Sequence, residues 1–247
     1  MAEQRLYSDL SWIWPLLSPP EDYVEEAEKI VDAFRKAGVP AGGTILHLGC
    51  GGGSLDLQLR DHFTLTGVDL SERMLEHARR VNPEVEYLTG DMTSVRLDRT
   101  FDGVLIHDAQ AYLTTPEELQ ALYETAAAHL APGGVLVSLP EELRSRFRQH
   151  RVNDRTLTDG EVTVTTIEVD FDPDPSDHHF ESTFVFVIRD QDGKQRIETD
   201  VHRCGLWTID EVLGHVKAAG FDTHVSAPRL SDMPAGTWVM FTGKKRA

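Results

Sequence analysis

Cysteines and basic residues are scarce in this sequence of 247 residues, and long apolar runs are absent. The chain has 24 Lys and Arg against 41 Asp and Glu, which gives a formal charge of −17 at pH 7. Because proteins bind nucleic acids through basic patches, this balance argues against a nucleic-acid partner. We interpret the one local basic run as a solvated helix or loop: Arg144, Arg146, Arg148 and Arg151.

The two cysteines, Cys50 and Cys204, lie far apart in the sequence and match no metal-ligand spacing. Their small number favours a reducing compartment, so a cytoplasmic location is expected. No apolar stretch approaches the roughly 18 residues of a transmembrane helix, and the acidic, proline-containing start does not resemble a signal peptide. We therefore expect no membrane partner. The adjacent His178 and His179 lack a spaced set of further ligands, so no metal site is expected.

A glycine-rich stretch follows the first strongly apolar run. Residues 44–48 form that run, glycines follow at positions 49, 51 and 53, and a helical pattern begins at Ser54. This order is typical of the strand, turn and helix that open a nucleotide-binding α/β unit. Glycines lack a Cβ atom, so the backbone can lie against a ligand, and the first helical turn offers N–H groups to an anion.

The spacing of the glycines narrows the class of nucleotide. The dinucleotide fingerprint G-x-G-x-x-G/A would need a glycine or alanine at position 54, where the chain has Ser54, so the pattern G-x-G-x-G fits better. The sequence also lacks the G-x-x-x-x-G-K-[ST] loop that binds phosphate in NTPases. A second apolar run ends at Asp69, about 20 residues after Gly49, where an acid can accept hydrogen bonds from both ribose hydroxyls. The alternative for Asp69 is a helix N-cap, because a helical pattern follows it.

Strands and helices alternate up to residue 140, which predicts a parallel sheet with right-handed crossovers. Strands are predicted near 44–48, 64–69, 85–89, 101–107 and 134–139, and helices near 21–36, 54–61, 72–80 and 116–130. In such sheets ligands bind beyond the carboxyl ends of the strands. The glycine turn, Asp69, Asp91 and the pair His107–Asp108 each follow one of these strands.

Five short motifs stand in the order found in class I S-adenosylmethionine-dependent methyltransferases, which the chain resembles over residues 40–140. They are Gly49-x-Gly51-x-Gly53, Gly67–Ser71, Gly90–Met92, Phe101–Val104 and Leu130–Gly134. The resemblance implies a Rossmann-like, seven-stranded, mostly parallel sheet of order 3-2-1-4-5-7-6. It also implies S-adenosyl-L-methionine as cofactor and S-adenosyl-L-homocysteine as product. One position departs from the family's sequence pattern. His47 stands where the family usually has an acid that orients the methionine end of the cofactor.

The same resemblance implies a set of cofactor-binding residues. They are Tyr23, Gly49, Cys50, Gly51, Gly53, Asp69, Leu70, Met74, Asp91, Met92, His107 and Asp108. Asp91 can accept the adenine amine while Met92 packs on the ring, and the alternative for Asp91 is a simple turn. In the family an N-terminal helical segment lies over the cofactor. By that resemblance Tyr7, Trp14 or Tyr23 could line the pocket, and the preferred alternative for each is that it only anchors the segment to the core. Tyr23 is the best candidate for a contact with the cofactor carboxylate.

His107 and Tyr112 are the catalytic candidates. They leave the fourth strand where methyl donor and acceptor should meet, and both can accept or steer a proton. Tyr112 resembles the position that carries His or Tyr in sugar-amine and glycine-type N-methyltransferases. The alternatives are that only the backbone carbonyl of His107 faces the cofactor, and that Tyr112 packs in the core.

The pattern changes beyond residue 140. Alternating stretches near 162–167, 180–188 and 197–204 predict a small antiparallel β insert after strand five. Such an insert overhangs the active site, so substrate contacts are expected from Tyr112, His202, Arg203 and Trp207. Thr208 and Glu211 form the capping box of the next helix. The insert is also the expected surface of any homodimer.

Four segments are therefore expected: an N-terminal helical cap (1–40), a cofactor-binding core (41–140), an antiparallel β insert (141–205) and the C-terminal part of the core (206–247). The expected function is transfer of a methyl group from S-adenosyl-L-methionine to a nitrogen or oxygen of a small-molecule acceptor. Two alternatives stay open. One is a non-catalytic regulatory module that binds the same cofactor, and the other is a nicotinamide oxidoreductase.

Overall fold

The structure is a computed structural model that describes residues 4–140, 142–231 and 233–247. The strands are β1 Thr44–Leu48, β2 Thr64–Asp69, β3 Glu86–Thr89, β4 Phe101–His107, β5 Leu130–Leu139, β6 Arg151–Thr158, β7 Val162–Phe171, β8 His179–Asp190, β9 Gln195–Gly205, β10 Phe221–Ser226 and β11 Met240–Lys245. The α-helices are α1 Trp14–Leu17, α2 Val24–Ala37, α3 Ser54–Leu59, α4 Glu72–Val81, α5 Pro116–Ala128 and α6 Ile209–Ala218.

Seven strands form one sheet in the order β3-β2-β1-β4-β5-β11-β10. The strands from β1 to β5 run parallel, and β11 is antiparallel to both β5 and β10. Without the insert strands this is the order 3-2-1-4-5-7-6, so the predicted sheet is confirmed. The carboxyl ends of β1, β2 and β4 meet at one edge, which brings the segments that follow them together.

Helices cover both faces of this sheet because strand residues alternate in direction. On one face Ile45 packs in a buried cluster with residues of α2, α3 and α4. On the other face Leu46 and Leu48 pack with residues of α5 and α6. Each fully buried side chain of this size contributes about 1.5–3 kcal/mol. The two clusters thus hold β1, and the turn that follows it, in a rigid frame.

Side-chain caps begin three of the helices. Ser71 begins α4 by accepting a hydrogen bond from the Met74 N–H at 3.2 Å. Thr115 begins α5 through a capping box, and the predicted capping box of Thr208 and Glu211 begins α6. Such a cap is worth about 1 kcal/mol. The caps fix where each helix starts relative to the strand before it.

The insert is a separate four-stranded antiparallel sheet in the order β6-β7-β8-β9. The sequence pattern predicts only three of these strands. Residues Arg144–Arg148 form the expected loop, but Arg151 begins β6, which pairs with β7 from Arg151 to Thr158. Most residues of β6 are exposed, so they carry no apolar alternation, and the interpretation of Arg151 as part of a solvated helix or loop is wrong. Its guanidinium instead pairs with Glu142 and Asp170.

The N-terminal segment packs on this insert. Leu6, Leu10, Ile13 and Leu17 share a buried cluster with Val164, Phe186 and Ile188. The insert therefore supports the segment that lies over the sheet edge. Among the described residues, no helix has both the length and the apolar character that a membrane crossing requires.

Candidate active site

The turn after β1 approaches the segment after β4 closely. Gly49, Gly51 and Gly53 have φ of 75°, 55° and 77°, a region that favours glycine. A Cβ atom at Gly49 would overlap the Cβ of Ala109, and it would lie 3.6 Å from the Met92 Sδ. A Cβ atom at Gly51 would meet only ordinary contacts at 3.8 Å. Glycine is thus needed at Gly49 for packing as well as for backbone conformation.

Asp69 lies at the end of β2 and holds the glycine turn. Its Oδ2 accepts a hydrogen bond from the Gly51 N–H at 2.8 Å, and its Oδ1 accepts one from the Ser71 N–H at 2.9 Å. The N-cap of α4 is Ser71, so the N-cap alternative for Asp69 is wrong. Burial raises the pKa of Asp69, and these two hydrogen bonds oppose the rise. Its role toward the ribose stays a prediction, and the neighbouring Leu70 is 73% exposed beside it.

Asp91 and Met92 follow β3, as predicted. One oxygen of the exposed Asp91 carboxylate accepts hydrogen bonds from the N–H and the hydroxyl of Thr93 at 2.8 Å and 2.7 Å. The carboxylate therefore forms a local turn, and its contact with adenine stays a prediction. Met92 packs next to Gly49, so its thioether lies beside the glycine turn.

Cys50 and Met74 are buried under the glycine turn. Burial raises the pKa of the Cys50 thiol well above its usual range, so its side chain is a neutral core group. Met74 is 1% exposed, and its Cε lies 3.8 Å from the Cβ position of Gly51. Met74 therefore supports the turn from below, and Cys50 offers a ligand only its backbone.

His107 lies between two carboxylates at the end of β4. Its Nε2 is 2.6 Å from the Glu26 Oε2 and its Nδ1 is 3.3 Å from the Asp108 Oδ2. Asp108 has φ of 56°, a conformation that costs a non-glycine residue free energy, and burial raises its pKa. The ring of Tyr23 contacts His107 edge-on at 5.9 Å between centroids. His107 thus faces helix α2, and its catalytic role stays a prediction.

Tyr112 is the last residue of the short 3₁₀ helix Ala109–Tyr112. Its hydroxyl contacts the Tyr7 hydroxyl and lies 3.1 Å from the His202 Nδ1. The His202 Nε2 lies 2.8 Å from the Asp200 Oδ2. Because a carboxylate can only accept, Nε2 carries the proton and Nδ1 accepts from Tyr112. Burial of the 1% exposed His202 lowers its pKa, so the ring is neutral near pH 7.

The structure separates the other predicted substrate residues from this cluster. Arg203 is exposed and lies on the opposite face of β9 from His202, where it contacts His179 at 3.0 Å. Trp207 is 2% exposed and donates a hydrogen bond to the Leu113 carbonyl at 3.0 Å. Trp207 therefore holds the segment after Tyr112, and neither placement supports a contact with the substrate.

Two residues of the site, Glu26 and Asp200, are missed by the sequence analysis, and Tyr7, for which anchoring is the preferred interpretation, contacts Tyr112. Asp200 stands two positions before His202 in a strand, so a period of two places both on one face. That signal was available in the sequence. No comparable signal joins Glu26 to His107, which lies 81 positions away.

A cleft of about 260 Å³ lies between Leu17 and the inner face of the insert. Asn153, Asp154 and Glu168 line it with polar groups, and Phe184 adds an aromatic face. Phe184 also contacts His202 at 4.8 Å between ring centroids. The cleft is thus next to the Tyr112 cluster. In the described ranges no group of three or more potential metal ligands is found, and His178 instead contacts Glu211 at 3.0 Å.

Comparison with known proteins places this geometry in a family. A family model described as a methyltransferase domain matches residues 45–134. The dTDP-3-amino-3,4,6-trideoxy-alpha-D-glucopyranose N,N-dimethyltransferase of Streptomyces venezuelae is 33% identical over 68% of this chain and 78% of its own length. The dTDP-3-amino-3,6-dideoxy-alpha-D-glucopyranose N,N-dimethyltransferase of Streptomyces fradiae is 30% identical over 90% of this chain and 85% of its own.

Solved structures give the same result. The crystal structure of Streptomyces venezuelae DesVI matches with a TM-score of 0.81 and 29% identity, over 97% of this chain and 96% of that one. CalS10 with bound S-adenosylmethionine, an amino pentose methyltransferase from Micromonospora echinaspora, matches with a TM-score of 0.78 and 27% identity, over 90% and 91% of the two chains.

The residues present fit S-adenosyl-L-methionine. The turn Gly49–Gly53 has glycines at four of its five positions and lies at the edge of the sheet where ligands bind, and Asp69 places a carboxylate beside it. Two buried nitrogens next to the turn, Trp14 Nε1 and His47 Nε2, have no hydrogen-bond partner among the described residues. A ligand with polar groups would satisfy them. The chain belongs to the class I S-adenosylmethionine-dependent methyltransferases.

Proposed function

We propose that this enzyme methylates the amino nitrogen of a sugar. The observation that carries the proposal is the hydrogen-bonded chain of Tyr7, Tyr112, His202 and Asp200 beside a polar cleft. An amine acceptor must lose a proton to react, and the neutral imidazole of His202 within this hydrogen-bonded series can take a proton up. Relatives named for the methylation of amino sugars cover most of the chain, which supports the same acceptor class.

The reaction needs little chemistry from the protein. Bound S-adenosyl-L-methionine supplies a methyl group on a sulfonium, which is already electrophilic. The lone pair of the acceptor nitrogen would take this methyl group, with the electron pair of the broken C–S bond left on sulfur. The protein must therefore align the nitrogen, exclude water and keep the lone pair free of a proton.

The Tyr112 cluster is suited to the last of these tasks. A proton from the acceptor ammonium would pass to a tyrosine oxygen, while the Tyr112 proton moves to the Nδ1 of His202. Asp200 then faces the imidazolium and stabilises its charge. Asp200 also accepts a hydrogen bond from the Leu6 N–H at 2.7 Å, which fixes its orientation. The backbone of Gly49–Gly53, Asp69 for the ribose, and Asp91 with Met92 for the adenine would hold the cofactor.

The cleft suits a hydroxyl-bearing ring. Its amide and carboxylate groups can bond to hydroxyls, and the ring of Phe184 can cover the C–H face of a sugar. Its volume of about 260 Å³ lies just below the roughly 300–1,000 Å³ of typical small-ligand pockets, so it suits a single ring rather than a larger ligand.

The test is a panel of acceptors with S-adenosyl-L-methionine, read by release of S-adenosyl-L-homocysteine and by the mass of the product. The panel contains dTDP-linked amino sugars, the same sugars with a hydroxyl in place of the amine, glycine and simple phenols. We expect methylation of an amino sugar and none of its hydroxyl counterpart. Turnover on phenols or glycine without turnover on any amino sugar would overturn the proposal.

A further inference from the structure

His47 lies two residues before the glycine turn and forms part of a buried polar network. Its Nδ1 is 2.7 Å from the Asp56 Oδ1, and the two side chains are 3% and 0% exposed. The other Asp56 oxygen accepts from the Tyr87 hydroxyl at 2.9 Å. Asn82 donates to both the Tyr87 oxygen and the Gly53 carbonyl at 3.0 Å and 2.9 Å. The network ties His47 to the backbone of the turn.

The network determines which nitrogen of His47 carries hydrogen. A carboxylate can only accept, so Asp56 requires the hydrogen on Nδ1. With the hydrogen on Nδ1, Nε2 presents a lone pair, and this buried atom has no partner among the described residues. A buried acceptor left unsatisfied costs about 1–3 kcal/mol, so such atoms are usually met by a ligand or water. Nε2 is therefore suited to a ligand group that donates.

The surroundings favour a cationic donor. His47 is on β1 between β2 and β4, whose ends carry Asp69 and Asp108. A positive ligand group at this edge would lie among acidic side chains.

Whereas His47 offers an acceptor, Trp14 places a hydrogen-bond donor, its Nε1–H, on the outer side of the turn. Its ring lies against Gly51 and Gly52, with Cδ1 only 2.5 Å from the Cβ position of Gly52. The ring also contacts Tyr7 at 5.7 Å between centroids. Its Nε1–H can only donate, is buried, and has no partner in the part of the chain that the structure describes. A donor of this kind is suited to an anionic group.

We propose that His47 and Trp14 bind the two charged groups of the methionine part of S-adenosyl-L-methionine. The His47 Nε2 accepts a hydrogen bond from the α-ammonium, and the Trp14 Nε1–H donates one to the α-carboxylate. Asp56 is a positioning residue that holds the required tautomer of His47. The chain thus uses an imidazole backed by the buried Asp56 where the family usually has an acid. The inference does not depend on the identity of the methyl acceptor.

The test compares three ligands by calorimetry. S-adenosyl-L-homocysteine has both charged groups, its analogue without the α-amine has only the carboxylate, and 5′-methylthioadenosine has neither. Two substitutions at His47 form a matched pair. His47→Asn keeps a donor near the Nδ1 position and removes the atom at Nε2, whereas His47→Gln keeps a polar atom near Nε2.

We expect His47→Asn to weaken S-adenosyl-L-homocysteine about 10- to 100-fold, the effect of one hydrogen bond to a charged group. Binding of the deaminated analogue and of 5′-methylthioadenosine should not change, and His47→Gln should keep most of the affinity. Trp14→Phe should weaken both carboxylate-bearing ligands and leave 5′-methylthioadenosine unchanged.

An equal loss for all three ligands would show a structural role and overturn the proposal. The unsubstituted protein gives a second reading that needs no variant to fold. It should bind S-adenosyl-L-homocysteine at least about 10-fold more tightly than the deaminated analogue. Equal affinity for these two ligands would also overturn the proposal.

Discussion

Tyr112 brings together three parts of the chain: the loop after β4, the N-terminal segment through Tyr7, and the insert through His202. Such contacts make its hydroxyl both a structural link and the best-placed proton carrier of the described residues. The two roles predict different results when the hydroxyl is removed.

Substitution Tyr112→Phe should lower kcat/KM about 10- to 100-fold, the loss of one well-placed hydrogen bond in the transition state. Affinity for S-adenosyl-L-homocysteine, measured by calorimetry, should stay unchanged because the cofactor residues lie elsewhere. Tyr123→Phe is the matched control, since the Tyr123 hydroxyl is also buried but bonds to Gln110 at 2.7 Å and to Ser138 at 3.2 Å. The control should lose about 1 kcal/mol of stability and little turnover. Equal kinetic effects in the two variants would remove Tyr112 from the mechanism.

The lowered pKa of His202 sets the direction of a pH effect. His202 accepts a proton only when neutral, so kcat/KM should fall as pH falls through its pKa, which lies below the ordinary value of 6.5. The folded state also binds fewer protons there than the unfolded state, so its contribution to stability is present above pH 6.5 and is lost on acidification. Comparing the pH dependence of kcat/KM in the native enzyme and in His202→Gln separates the titration of His202 from that of other groups. Identical profiles would contradict its role.

The sequence indicates Tyr112 and His202 separately, but it cannot show that they touch, because 90 positions separate them. Once His202 is a candidate, the period of two in a strand places Asp200 on the same face, so this neighbour can be predicted. The contact of Glu26 with His107 depends on how α2 lies on the sheet, and no local pattern encodes that. Motifs at strand ends can therefore be predicted from the sequence. Residues that reach the site only through tertiary packing, such as Glu26, cannot.

Among the elements, the glycine turn and the 3₁₀ helix Ala109–Tyr112 constrain each other. Gly49→Ala should cost about 2–4 kcal/mol, since a positive φ strains alanine and its Cβ would overlap Ala109. Gly51→Ala shares the positive φ without a close contact, so it should cost about 1 kcal/mol. Chemical denaturation of the two variants measures the difference. Equal costs would mean that the approach to Ala109 does not matter.

The elements predicted from sequence are those with a clear apolar period. Strands β1, β2 and β4 are buried at most positions, and their predicted bounds agree with the structure. Strand β6 is different, because both of its faces are largely exposed and its residues are polar. Its backbone hydrogen bonds to β7 make it a strand, and such hydrogen bonds do not require any particular residue types.

At the scale of the whole molecule, the charge of −17 acts on any charged substrate. A dTDP-linked acceptor is an anion and is repelled at long range, but salt screens this repulsion over about 10 Å at 0.1 M. The KM for such an acceptor should therefore fall severalfold between about 10 and 150 mM salt, with little change in kcat. Affinity for 5′-methylthioadenosine serves as the uncharged control. A KM that rises with salt would indicate attraction through a local basic site instead.

The segment that covers the glycine turn with Trp14 also carries Tyr7, whose hydroxyl contacts Tyr112. Spent cofactor has to leave before a second one enters, and lifting Trp14 off the turn would pull Tyr7 away from Tyr112. Each exchange of cofactor should thus break the contact of Tyr7 with Tyr112 and weaken binding of the acceptor. If two methyl groups are added to one nitrogen, the once-methylated sugar should escape between rounds. A time course should show it accumulating free in solution before the twice-methylated product appears, as in a distributive rather than a processive enzyme.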